Sequence, residues 1–290
     1  MEASLDKRLV AAFVVACGWT VAGAAAAAPD LVPLPPETGR AWAAYTGAVR
    51  AALDAGVSGA GFVSVERGRD GSAAREALRR GALVVQPVET PADVPGGEVT
   101  HWRGAVLVPG ARIDDVLRRL ATEPPDTRQE DVVSASVLQP GPVAMRVALR
   151  VRRRKVITAV YDTEHLVTFR RLDASHATSH SRATAIAEIA DAGTPAERRK
   201  TADEDRGFLW RWEAAWRYEQ RPDGLVVECE SLTLSRPVPR LLRPLVSRVV
   251  DGMARESMTE TLEAFRARFS DPAPGGPPGL SPAPRPPTSR

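Results

Sequence analysis

RGFLWRWEAAWRYEQRPDGLVVECESLTLS, residues 206–235, is the stretch that decides the fold. Two alternating runs flank Arg221-Pro222-Asp223-Gly224, a turn in which proline presets φ and glycine supplies a positive one. On the first run Trp210, Trp212, Ala214, Trp216 and Tyr218 share one face, and Arg211, Glu213, Arg217 and Glu219 share the other. Period-two segregation of this kind marks a half-buried strand. Folding back about the turn sets Trp216 opposite Cys229, Trp212 opposite Thr233 and Arg217 opposite Glu228. The aromatic face, mixed with small polar groups, suits the wall of an amphipathic cavity. The charged face is expected to pair its charges in solvent.

Upstream, residues 99–108 (VTHWRGAVLV) read as a strand with Trp102, Val106 and Val108 on one face. Residues 111–122 (ARIDDVLRRLAT) read as an amphipathic helix with Ile113, Val116, Leu117 and Leu120 inward, ended by Pro124-Pro125. Further strands are expected over 131–139, 143–155, 156–172, 177–189 and 208–219, and residues 225–234 make the seventh. The alternation of Met145, Val147, Leu149 and Val151 against Arg146, Arg150, Arg152 and Arg154 implies an antiparallel sheet with one wet face. The charged link 191–207 reads as an exposed, mobile loop.

Downstream, residues 237–269 carry a long apolar stripe through Leu245, Val249, Met253, Ser257, Met258, Leu262, Phe265 and Phe269, with Pro239 and Pro244 breaking its first turn. Gly252 inside the stripe costs about 1 kcal/mol against alanine, which suggests a close approach by a strand or ligand.

Strand, helix, six antiparallel strands and a long closing helix is an order that resembles the START-like superfamily, also called helix-grip, SRPBCC or the Bet v allergen fold. The residues that carry the resemblance are 99–109 leading into the 111–122 helix, the WRWEAAWRYE…VVECESLTLSR hairpin and the ARESMTETLEAFRARF helix, within residues 97–270. It implies an α+β fold in which a curved seven-stranded antiparallel sheet wraps a long C-terminal helix around an apolar or amphipathic ligand such as a lipid or quinone. The chain resembles secreted bacterial members without an assigned function. The family has no universal catalytic motif, so the resemblance assigns no catalytic residue.

For such a site Trp102, Phe169, Trp210, Trp212, Trp216 and Tyr218 would form apolar wall, with Met253 and Ser257 on the closing helix. Tyr161 and His165 share a strand face and would be polar anchors; Arg182 is a head-group candidate if it points inward. Periodicity leaves the inner set of that strand open between His180, Arg182 and Thr184 and the alanines 183, 185 and 187. Two other classes stay open: a structural or interaction module whose aromatics fill the core, and a cyclase- or hydrolase-like enzyme using Tyr161 and His165. His176 and His180, four apart on a strand, stand about 13 Å from each other, too far to grip one metal. No nucleophile elbow, phosphate loop, zinc-protease helix or Cys-x-x-Cys is present, and no cofactor is expected.

Before residue 97 the chain reads as an extension, residues 29–96. It holds a helix to about residue 55 carrying Trp42, Tyr45 and Val49 as core contacts, a short strand at 61–67, a helix at 71–80 and a strand at 82–88. Lys7-Arg8 followed by an apolar run to Ala28 is the pattern of a secretory signal peptide, so an exported protein is expected. Val14-Val15-Ala16-Cys17 resembles a lipobox, but the residues after Cys17 are apolar and cleavage near residues 26–28 is the expectation. Cleavage leaves Cys229 as a lone inward thiol, a small hydrophobe rather than a nucleophile. Residues 271–290, rich in proline, read as a disordered tail.

The 290 residues carry a net charge of +3, and a pI near 9.2 is only mildly basic. Arginines alternate with apolar residues or sit beside acids, so no nucleic-acid partner is expected. The expected partner is a hydrophobic small molecule, bound by a monomer with peripheral membrane contact compatible.

Overall fold

The structure is a computed structural model that describes residues 31–55, 61–90, 94–125, 127, 129–154, 158–237 and 243–270. The expected signal peptide with Cys17, the Pro-rich tail and Pro239 lie outside the described residues.

The first elements among the described residues are helix α1 (Pro36–Ala55), a 3₁₀ turn (Ser64–Glu66), helix α2 (Gly71–Arg79) and strand β1 (Val84–Pro87). Next come β2 (Glu98–Pro109), α3 (Ile113–Thr122), β3 (Val132–Gln139), β4 (Ala144–Arg154), β5 (Thr158–Arg171) and β6 (His176–Ala190). A two-residue β7 (Arg198–Arg199), β8 (Arg211–Arg221), β9 (Gly224–Ser235) and α4 (Arg243–Ser270) complete it. All neighbours pair antiparallel in the order β1-β2-β9-β8-β6-β5-β4-β3, with β7 on β6. This is the helix-grip α+β arrangement: the seven expected strands, joined by β1, where a strand was expected at 82–88, and by the two-residue β7.

The deciding hairpin sits mid-sheet between β2 and β6. Its register is the expected one, Trp216 on Cys229, Trp212 on Thr233 and Arg217 on Glu228, with Arg221 pairing Gly224 across a two-residue connection. Gln220 ties the turn to α3: its side-chain oxygen accepts the Ile113 N–H at 2.8 Å, and its amide donates to the Ala111 and Gly224 carbonyls. Asp114 and Asp115 in the first turn of α3 favour its dipole.

On one sheet face α4 packs against β1, β2 and β9. Met258, Leu262, Phe265 and Phe269 join Trp102, Val106, Tyr218, Val227 and Cys229 in the main core, with Ile113 and Val116 of α3. The close approach is made at Gly104, where an added Cβ would stand 2.7 Å from Leu262 and 2.9 Å from Met258. Gly252, expected to mark it, is exposed with open space around it, because its helix position turns away from the sheet.

Over β2, β9 and β8 the opposite face is covered by the N-terminal segments. Phe62, Val63, Val65 and Leu78 pack on Ala105, Leu107 and Val226, while Trp42 of α1 packs on Leu232 and Leu234. This overturns the wet charged face expected for β8. Arg217 is 1 % exposed and Glu228 0 %, and the Arg217 guanidinium donates to Glu228 at 2.8 Å and to Glu230 at 2.5 Å. The expected strand over residues 61–67 is instead the 3₁₀ turn, whose Val65 N–H donates to Glu228 at 2.7 Å. Glu66 adds a second clasp, pairing Arg75 at 3.0 Å and Arg221 at 2.8 Å. The link after β6 is also anchored: Glu188 is buried and receives Lys200 at 2.8 Å and Arg206 at 2.5 Å.

Candidate functional site

The α4-facing side of the sheet divides in two. Toward the C-terminal end of α4 the aromatics are packed on one another. Trp216 lies nearly parallel to Tyr218 (centroids 6.5 Å, 8°) and stacks on Phe265 at 5.6 Å, and Phe265 meets Phe269 at 4.7 Å. The Tyr218 hydroxyl is 3.0 Å from Ser179 Oγ. Trp102 is buried in the same core. This half is filled.

The other half is built from β4, β5, β6 and the start of β8. Tyr161, Thr163, His165, Val167 and Phe169 alternate onto one face of β5, as read from the sequence, opposite Glu188, Ile186, Ala183, Ser181 and Ser179. A bulge in β6 between Ala183 and Ala185 breaks the period there. That explains why alternation could not assign the strand: 177, 179, 181 and 183 face α4's side, then 186 and 188 do. Arg182 falls on the far face opposite Glu213 and is exposed, so it is no head-group ligand of this site.

His165 is buried and held by its neighbours. The Thr163 hydroxyl donates to the Leu149 carbonyl (3.3 Å) and so accepts from His165 Nε2 at 3.0 Å. Nδ1 then accepts from the Ser181 hydroxyl at 3.3 Å. Burial lowers the imidazole to about 4, so the ring is neutral at pH 7. Half-buried Trp212 meets it edge to face at 4.9 Å. Tyr161, with Val151, Ala183 and Ile186, forms a cluster on which Leu149, Leu209 and Trp212 pack. Its hydroxyl is buried without a hydrogen-bond partner, and burial, with Glu188 nearby, raises its pKa.

Trp210 departs from the expected wall. It precedes β8, where the chain bends after Gly207 (φ 77°), and it packs against the Trp42–Leu234 cluster under α1. Phe169 is half-buried on the inner face; Met253 and Ser257 are half-buried on α4. Cys229 is a buried free thiol whose pKa burial pushes up. No group of acids, histidines and cysteines among the described residues could hold a metal ion, and none of the described helices is long and apolar enough to cross a membrane.

Sequence reasoning missed a polar cluster on the opposite face. His101 Nε2 lies 3.2 Å from Glu230, His101 Nδ1 lies 2.6 Å from the Tyr45 hydroxyl, and Arg103 stands 3.2 Å from Glu230. Burial alone would raise the Glu230 carboxyl, but the His101 hydrogen bond with Arg103 and Arg217 holds it well below the usual range. The signal was present in the alternation of His101 and Arg103 around Trp102, and of Glu228 and Glu230 around Cys229.

No protein-family model matches the chain, and no curated protein matches it. Among solved structures the fold is similar to a fragment of the STAR-related lipid transfer protein of Xanthomonas axonopodis (17% identity, 64% of this chain and 99% of that one, TM-score 0.42). It is similar also to the lipid transfer and protein localization domain of human StarD13 (12%, 67% and 94%, TM-score 0.38). A third is the Zhui aromatase/cyclase from a Streptomyces species (15%, 62% and 99%, TM-score 0.37). At identities this low none of those proteins' activities transfers to this chain.

Proposed function

We propose that this protein is an exported, non-enzymatic binder of a hydrophobic or amphipathic small molecule, held on the α4-facing side of the sheet over β5, β6 and β8. The observation that carries the reading is the Tyr161 hydroxyl, buried without a partner within an apolar cluster on which half-buried Trp212 packs. An unmade buried hydrogen bond costs about 1–3 kcal/mol, so a ligand oxygen that completes it gains orientation as well as energy. Apolar burial against Trp212 and Leu149 would supply most of the affinity, at roughly 25 cal/mol per Å².

The enzyme alternative is weaker. Tyr161 and His165 stand four residues apart on β5, about 13 Å, and both His165 nitrogens are engaged within the protein. The filled-core reading applies to the half built on Trp216, Tyr218 and Phe265.

The test is a titration of the chain with a long-chain fatty acid and a quinone, read by tryptophan fluorescence and calorimetry. Trp212→Ala and Tyr161→Phe should each weaken binding about 5–10-fold, and Trp210→Ala, two residues away on the other face, should not. Equal loss for Trp210→Ala and Trp212→Ala, or no binding at all, would remove the site. Export is tested separately, by the N-terminal sequence of the protein recovered from the producing cell's envelope fraction or medium.

A further inference from the structure

The face away from α4 carries a buried ionic cluster that the proposed function does not use. A cavity of about 480 Å³ opens above it beneath α1, within the roughly 300–1,000 Å³ range of small-molecule pockets. Ala48, Val49 and Ala52 of α1, with Val88, give it an apolar wall; Arg103, Arg217 and His101 give it a polar floor. Trp102 and Arg103 are adjacent on β2 and point to opposite faces, so the sheet separates this cavity from the site over β5, β6 and β8.

The floor's acceptors are spent. Glu230 is engaged by Arg217, Arg103 and His101, and Glu228 by Arg217 and the Val65 N–H. With Glu230 ionised, His101 Nε2 carries a proton toward it, and in the neutral ring Nδ1 accepts from the Tyr45 hydroxyl. Donors are left over. Arg217 Nε is buried with no hydrogen-bond partner, Arg103 Nε meets Glu230 at 3.2 Å as an ion pair without hydrogen-bond geometry, and the Arg103 side chain keeps 20% of its surface exposed. At the rim Arg67 and Glu89 are both exposed and offset each other. A cation would find no free carboxylate on the floor, and a purely apolar guest would leave the guanidinium donors unpaired. An oxyanion suits them, because a guanidinium offers a planar fork to a carboxylate.

We propose that this slot is a second binding site, for a small organic carboxylate with a short apolar tail. The carboxylate lies against Arg103, and the tail runs along Ala48, Val49 and Ala52.

The probe is hexanoate, with hexylamine as the cationic control, titrated into the full chain by calorimetry or chemical-shift perturbation. Hexanoate binds and hexylamine does not. Arg103→Gln weakens hexanoate at least 10-fold, about 1.4 kcal/mol. Ala52→Phe, at an exposed α1 position that fills the slot, abolishes binding without lowering the unfolding midpoint, which covers the case in which Arg103→Gln fails to fold. Trp212→Ala leaves hexanoate affinity unchanged. The proposal is overturned if hexanoate does not bind, if hexylamine binds equally, if Ala52→Phe keeps wild-type affinity, or if Trp212→Ala is the variant that loses it.

Discussion

Arg217→Met separates a buried ion cluster from a surface pair by magnitude. Were Arg217 and Glu228 a solvent-exposed cross-strand pair, its removal would cost about 0.2–1 kcal/mol. In the structure the guanidinium is 1 % exposed and serves two buried carboxylates. Methionine fills much of the volume but removes the charge. Glu230 keeps Arg103 and His101, while Glu228 keeps the Val65 N–H. Stranding a buried charge costs about 3–5 kcal/mol, a large part of the ~5–15 kcal/mol by which a domain is stable. Urea unfolding at pH 7 should show the midpoint falling by about 1–2.5 M, for m near 2–3 kcal/mol/M. The pH dependence has a definite sign. The Glu230 carboxyl is held below its unfolded value, so its contribution is full above about pH 4.3 and is lost as pH falls further. Wild type and variant should therefore begin to approach each other below about pH 4.3 and keep approaching as pH falls toward the much lower folded value. A loss under 1 kcal/mol at pH 7 would refute the covered face and restore the wet one.

Three further outcomes follow from the same contacts. Gly252→Ala should stabilise the protein by up to about 1 kcal/mol, since the site is helical, exposed and open, whereas Gly104→Ala should destabilise it by about 1–3 kcal/mol through overlap with Leu262 and Met258; denaturant midpoints of the two variants should move in opposite directions. His165, lowered to about 4 by burial, is unprotonated in the fold but takes a proton when unfolded below about pH 6.5, so stability should fall by up to ~3 kcal/mol between pH 6.5 and 4; His165→Gln should flatten that part of the pH–stability curve. Cys229 should resist a thiol reagent in the native protein and react at once in denaturant, as a buried thiol of raised pKa requires.

The strands were legible because their inner and outer residues differ sharply in chemistry. The hairpin shows this best: aromatic and charged residues alternate without a slip, and a Pro-Asp connection closes them in the expected register. The extent of β6 was legible but its inward face was not, because Ala, Ser and Thr on both sides of its bulge give periodicity nothing to distinguish. Trp210 misled for a related reason, since alternation was extended past the point where the chain becomes a strand. The charged face of β8 misled differently. Alternation tells which residues share a face, but not that α1 and the 3₁₀ turn, more than 100 residues upstream, cover it. Tyr161 and His165 were correctly put on one face, yet only the structure distinguishes the satisfied imidazole from the unpartnered hydroxyl.

The most direct test of ligand binding on the α4-facing sheet is native mass spectrometry of the gently purified chain, with solvent extraction and identification of whatever co-purifies. The account predicts a stoichiometric apolar adduct that is depleted in Trp212→Ala and retained in Trp210→Ala. A clean unliganded mass, unshifted by added lipid and quinone mixtures, would contradict it and leave a filled-core scaffold in its place.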